Sequence, residues 1–215
     1  LSLLNVYADY RNDPTYFRKL ERFIKDLLGH EVRYEQPRLW NTKGETISAF
    51  RRATNKAVDE LFETRSCWQQ RWNAKIDGKL RQCGLCAACL LRRMSMHAAG
   101  IEEPEHTYVI ADLTVPAFRD ALPGREKVRL SRTMAEYGSV GARHLQRLGD
   151  MADMPDAELK VHAFEIARAT GEAQDEVLKK LRNFLLTHAK EWRAFRAAQG
   201  EQSFLRSWTN GGHHG

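Results

Sequence analysis

The residues best placed to do chemistry are the four cysteines, which all fall within one stretch of this 215-residue chain. Cys83, Cys86 and Cys89 form a C-x-x-C-x-x-C run, a spacing that lets three thiolates converge on one point. Cys67 stands upstream, with fifteen residues between it and Cys83, and can loop back as the fourth. Four soft ligands closing a tetrahedral shell describe a structural zinc site. With sulfur in every position no site is left to activate water, so such a metal staples a loop. An iron–sulfur cluster also needs four thiolates, but the ferredoxin run carries a further Cys-Pro three residues on, and Leu90 and Leu91 follow Cys89 here. Disulfides and inert buried thiols are the remaining readings. The length of the chain and the absence of a secretory opening speak against disulfides.

A second candidate is Thr42-Lys43-Gly44-Glu45, which has the form of a capping box: the Thr42 hydroxyl accepts from the Glu45 amide while the Glu45 carboxylate reaches back to the Thr42 amide. A helix N-terminus with exposed amides and an adjacent lysine attracts phosphate or carboxylate, which makes Lys43 a candidate anion contact. Arg92 and Arg93 follow the last cysteine. His97, eight residues past Cys89, is a weaker alternative ligand, and four cysteines already suffice.

The elements around these residues follow from periodicity. Residues 1–9 suggest a short buried strand. Pro14 to Leu28 predicts a helix, with Asp13 as its cap, Pro14 at its first position and Gly29 as its stop. His30 to Gln36 predicts a strand centred on Val32 and Tyr34. A helix from Thr42 is expected to continue through Leu61, another to cover Leu90 to Ala99, and Tyr108-Val109-Ile110 to form a brief strand. Helix, strand and helix in alternation predict an α/β layer. Beyond residue 105, helices are expected over Arg129–Leu148, Asp156–Thr170 and Asp175–Ala198. The last carries a stripe of Val177, Leu181, Phe184, Leu185, His188, Trp192 and Phe195, in which His188 reads as a core residue.

Composition narrows the class. Charged residues make up 29% and the net charge is +6, which suits anionic partners such as nucleotides or simply a solvated surface. No stretch is long and apolar enough to span a bilayer, so a cytoplasmic protein is expected, with no membrane partner. The basic side chains Arg71, Lys75, Lys79 and Arg81 in the cysteine loop leave a zinc-stapled, non-catalytic module that binds nucleic acid or protein as the rival reading, with nucleic acid not favoured.

Several of these residues together carry a resemblance. Ser66-Cys67-Trp68, Cys83-Gly84-Leu85-Cys86, Cys89, Arg92 and Ala99-Gly100-Ile101-Glu102-Glu103-Pro104, with Thr42-Lys43-Gly44-Glu45 and Asp9–Pro14 upstream, resemble in type and order the C-terminal half of the 7-cyano-7-deazaguanine synthase (QueC) family, including its zinc loop. The resemblance covers residues 1–105 and implies an α/β fold: the C-terminal part of a Rossmann-like adenine nucleotide alpha hydrolase (PP-loop) fold, with residues 106–215 as a mainly helical extension. It implies ATP-dependent activation of 7-carboxy-7-deazaguanine and attack by ammonia to give the amide and then the nitrile. It further implies that Arg11, Lys43 and Arg92 contact substrate or phosphate, and that zinc is structural. The long Cys67–Cys83 separation suits a specialised QueC-like branch of anti-phage defence (QatC type), with a homodimer or defence proteins as partners. The chain starts at Leu1 and contains no SGGxDS-type loop, so ATP and Mg are expected only of a longer parent.

Overall fold

The computed structural model describes residues 13–54, 58–68, 75–76, 79–121 and 132–209. The strand expected over residues 1–9 and the candidate Arg11 lie outside them, as does Arg71. Among the described residues the chain is helical, with α1 (Pro14–Leu28), α2 (Lys43–Ala53), α3 (Asp59–Glu63), α4 (Ala87–Ala98), α5 (Arg132–Asp150), α6 (Asp156–Thr170), α7 (Gln174–Ala198) and α8 (Phe204–Thr209). The extended structure among the described residues is one antiparallel pair of two-residue strands, β1 (Lys75–Ile76) and β2 (Lys79–Leu80), and an isolated parallel bridge between Gln82 and Tyr108.

The expected α/β fold is therefore overturned: there is no parallel sheet and no Rossmann-like layer among the described residues. The physical reason lies in the two predicted strands. His30 to Gln36 is irregular, and its apolar pair Val32 and Tyr34 is 40% exposed at both positions. The Tyr34 amide donates to the Glu21 carboxylate at 2.7 Å instead of to a neighbouring strand. Alternation in sequence makes a strand only where a partner ladder takes up its backbone groups. Tyr108 to Ile110 does find such a partner: the Val109 amide donates to Gln82 O at 2.8 Å and the Ile110 amide to Cys83 O at 3.1 Å. The cysteine loop turns away after that one step, so no strand propagates.

The chain divides into two compact units: residues 1–41 with 150–186, and residues 42–149 with 187–215. In the first, α1 forms as its sequence predicts, with the Asp13 carboxylate accepting from the Thr15 amide at 2.7 Å and Gly29 ending the helix at φ 67°. Arg18 Nε ties α1 to the end of α6 by donating to Ala169 O at 2.6 Å. Leu159, Ala163, Val177, Leu181 and Leu185 fill this unit's interior from α6 and the first part of α7.

The second unit is built around α4. Leu90 and Met94 of α4 pack with Val109, Ile110 and Leu113, with Leu145 of α5, and with Trp192 and Phe195 of α7. Each such large side chain removed from water stabilises the fold by about 1.5–3 kcal/mol. His188 is buried with Nε2 3.0 Å from Leu145 O, and burial holds its pKa below the ordinary histidine value, in keeping with a core residue. The helix expected to run from Thr42 to Leu61 is instead two pieces. Thr54 closes α2, and α3 begins after Val58.

Candidate metal centre

The four sulfurs meet. Sγ of Cys67, Cys83, Cys86 and Cys89 all lie within 4.8 Å of one another, with Cys83 and Cys89 3.7 Å apart, and none is in a disulfide. Zinc–sulfur bonds of about 2.3 Å in a tetrahedron place sulfurs about 3.8 Å apart. The four cysteines thus form a group that could hold a structural metal such as zinc, and the donor set and its spacing fit the ion.

Local backbone geometry explains how the sequence builds this cluster. At the Cys83-Gly84-Leu85-Cys86 turn the amides of Leu85 and Cys86 donate to Cys83 Sγ at 3.4 and 3.3 Å. Gly84 makes the turn possible. Its φ is +85°, and a Cβ there would come within 2.4 Å of Ile110 O. Cys86 then caps α4, its sulfur accepting from the Cys89 amide at 3.4 Å. Cys67 arrives from the segment after α3 and accepts from the Cys83 amide at 3.4 Å. Cys83, Cys86 and Cys89 are buried and Cys67 is half-buried. Amide donors and the positive end of a helix both favour thiolate over thiol.

Crowding sets the proton balance. Hydrogen bonding from the Cys83 thiol, then from Cys86 and Cys89, holds Cys67 far below the usual thiol range. Bonding to Cys67 first, with burial added, pushes Cys83 and Cys89 far up. The directions split the group, with Cys67 and Cys86 held below the usual thiol range and Cys83 and Cys89 above it. Four thiolates require a compensating cation, which a divalent ion bound to all of them supplies while releasing protons.

The other candidates fall as follows. The capping box at Thr42 is present, with the Glu45 amide donating to Thr42 Oγ1 at 3.0 Å and the Thr42 amide donating to Glu45 Oε2 at 2.8 Å. Lys43 opens α2 with its side chain reaching solvent. Burial, followed by the nearby Arg92, nevertheless holds its pKa below the ordinary lysine value. The start of α2 already carries a carboxylate, because Thr42 Oγ1 donates to Glu191 Oε1 at 2.7 Å. A Cβ on Gly44 would meet that same oxygen at 2.4 Å and Ala98 of α4 at 2.9 Å.

Arg92 is buried, 2% exposed at its side chain, and its donors are committed within the protein. Nε donates to Glu103 Oε1 at 2.6 Å, Nη1 to Thr64 O and Oγ1 at 3.0 and 2.6 Å, and Nη2 to Leu61 O at 2.7 Å. It bridges the end of α3 to the segment after α4. His97 is not among the residues gathered around the sulfurs.

Nothing in the sequence signalled the bonding roles of Glu103, Tyr108 and Glu191. Glu103 Oε2 accepts from the Tyr108 hydroxyl at 2.6 Å, so one carboxylate joins Arg92 to Tyr108. Burial and then Glu103 push the Tyr108 pKa up. Glutamates 102 and 103 stand side by side in the sequence, and only the fold tells the buried one from the exposed one. No protein-family model, no curated protein and no solved structure matches the chain.

Glu191 gives a pH test. Burial raises its pKa, repulsion from Glu45 adds to this, and Oε2 is buried with no partner among the described residues. A carboxyl whose folded pKa lies above its unfolded value contributes stability below the unfolded pKa and loses it as pH rises through the folded one. Ionising this carboxyl in its buried setting is a cost. Glu191→Gln keeps the acceptor for Thr42 and removes the charge, so it is expected to raise stability by about 1 kcal/mol at pH 7. The gain should shrink toward pH 4, measured as urea midpoints at the two pH values. An equal gain at both would contradict this account.

Proposed function

We propose that the four cysteines hold one structural zinc ion and that the chain is the zinc-stapled helical part of a QueC-like ligase acting on the carboxylate of 7-carboxy-7-deazaguanine. The observation that carries this reading is convergence. The cysteines, Arg92, Glu103 and the helix start at Thr42 are scattered over residues 42–104 in the order of the QueC motifs, and all belong to one compact unit. Arg92 links Glu103 to Thr64, three residues before Cys67. In this reading zinc fixes the wall of a cleft. The ATP-handling loop is assigned to none of the residues of this sequence, and zinc performs no step of the reaction, because four sulfurs leave it no open position.

The test supplies 7-carboxy-7-deazaguanine, ATP, Mg and ammonia to the native protein that contains this sequence. Accumulation of the nitrile supports the biosynthetic reaction, and transfer to a protein amine supports the specialised branch. Zinc-loaded protein that consumes neither ATP nor substrate overturns the ligase reading and leaves the metal centre standing.

A further inference from the structure

Helix α1 inverts the usual arrangement of a surface helix. Polar residues hold it to its own unit: Arg18 Nε donates to Ala169 O of α6 at 2.6 Å, and Glu21 accepts from the Tyr34 amide at 2.7 Å. Its apolar stripe faces out. Tyr16, Phe23 and Leu27 are 42%, 59% and 64% exposed, Leu20 is half-buried, and the helix has no buried residue. A surface helix ordinarily turns such a stripe to the core, and contiguous apolar surface left open marks an interaction site.

The spacing along that stripe determines what fits it. Tyr16, Leu20, Phe23 and Leu27 follow one another at intervals of four, three and four, the a/d repeat of a helix that packs along a second helix. Arg18 and Glu21 fall at f and b positions, away from the seam, so α1 holds its unit and leaves the seam open. The seam also complements itself. When two copies of α1 lie antiparallel about a two-fold axis, Tyr16 meets the partner's Leu27 and Leu20 meets the partner's Phe23, and symmetry repeats both layers. On one flank Phe17 then comes opposite the partner's Ile24, and on the other Lys19 comes opposite the partner's Asp26. Both charges are available for that pairing. Lys19 makes no side-chain bond among the described residues, and Asp26 meets Arg22 through Oδ2 alone, at 3.5 Å on the exposed helix surface. A parallel pair would set Lys19 against the partner's Ile24 and leave it unmatched.

We propose that α1 is a homodimer interface, in which the stripe from Tyr16 to Leu27 packs antiparallel on the same stripe of a second copy and two Lys19–Asp26 pairs set the register. The inference stands on α1 alone and is independent of the ligase reading. Four layers of side chains make a small interface, below about 1,200 Å² in total, which belongs to the weak and reversible class.

Sedimentation equilibrium of the zinc-loaded chain is expected to show a monomer–dimer equilibrium with a Kd on the order of 10 μM. Phe23→Glu is expected to weaken it about a hundredfold, because symmetry sets the new charge in two apolar layers. Far-UV circular dichroism and zinc content should not change, since the side chain is exposed. Lys19→Asp should weaken the dimer about tenfold by placing like charges opposite each other on the flank, and Lys19→Asp with Asp26→Lys should restore the native affinity. A native chain that stays monomeric throughout the micromolar range overturns the proposal. So does a dimer that Phe23→Glu leaves intact, which places the contact elsewhere. A monomer that Phe23→Glu destabilises overturns it as well, by assigning the stripe to another part of the same chain. Failure of the double exchange to restore affinity overturns the antiparallel pairing.

Discussion

A Cys89→Ser chain is expected to purify with well under one equivalent of zinc and to lose the cooperative unfolding of the second unit, while the native chain carries one equivalent and unfolds in a single transition. Structural zinc contributes about 10–16 kcal/mol of apparent binding free energy in small zinc modules, and that binding is folding free energy. A domain's whole stability is about 5–15 kcal/mol. Cys89 is fully buried and belongs to the same core cluster as Leu90, Met94 and Trp192, so a change at this position disturbs that packing as well as the sulfur cluster. Cys67→Ser should be milder. Cys83, Cys86 and Cys89 are preset by the turn at Gly84 and the first turn of α4, whereas Cys67 is half-buried and comes from a separate segment. Metal analysis, far-UV circular dichroism and thiol titration check this together. Native protein should show no reactive thiol until a strong chelator is added, and four afterwards. Zinc-free native protein with all four thiols titrating at once would end the metal reading.

The cysteine cluster was legible in the sequence because three of its members are fixed by local spacing. Two intervals of three residues, a glycine for the turn and a helix start beyond Cys86 bring three sulfurs together with no long-range information. The helices were legible for a similar reason. Asp13, Pro14 and Gly29 bound α1, and Thr42 with Glu45 caps α2, because caps are made by neighbours in the chain. The strands were not legible. Val32 and Tyr34 alternate as strand residues do, but whether a strand forms depends on a partner elsewhere, and Glu21 takes the Tyr34 amide instead. Periodicity also gave no view of polar burial. Arg92 and Arg93 are adjacent arginines in the sequence, yet one is bonded to a buried carboxylate and the other to two backbone carbonyls. The α/β expectation failed at this level: it took local alternation for sheet pairing.

Arg92 carries the second large effect, and its substitution separates a packing role from an anion-binding one. Arg92→Ala is expected to lower stability by about 3–5 kcal/mol, because it leaves Glu103 buried without its counter-charge and strips acceptors at Leu61 and Thr64 of their donor. Arg92→Lys keeps the charge but not the fork. A single ammonium cannot reach the Glu103 carboxylate, the Thr64 hydroxyl and the Leu61 carbonyl at once, so about half of that loss should persist. Glu103→Gln alone leaves the guanidinium with weaker compensation and frees the Tyr108 hydroxyl from a charged acceptor. The pair Arg92→Met with Glu103→Gln should therefore cost less than the two single changes added, since the double variant buries no unpaired charge. Urea unfolding of the native chain, Arg92→Met, Glu103→Gln and the double variant closes the cycle. Additive losses would show that the bridge at 2.6 Å contributes nothing of its own. An Arg92→Lys chain as stable as the native one but unable to bind an anionic ligand would return Arg92 to the binding role that its place in the sequence suggests.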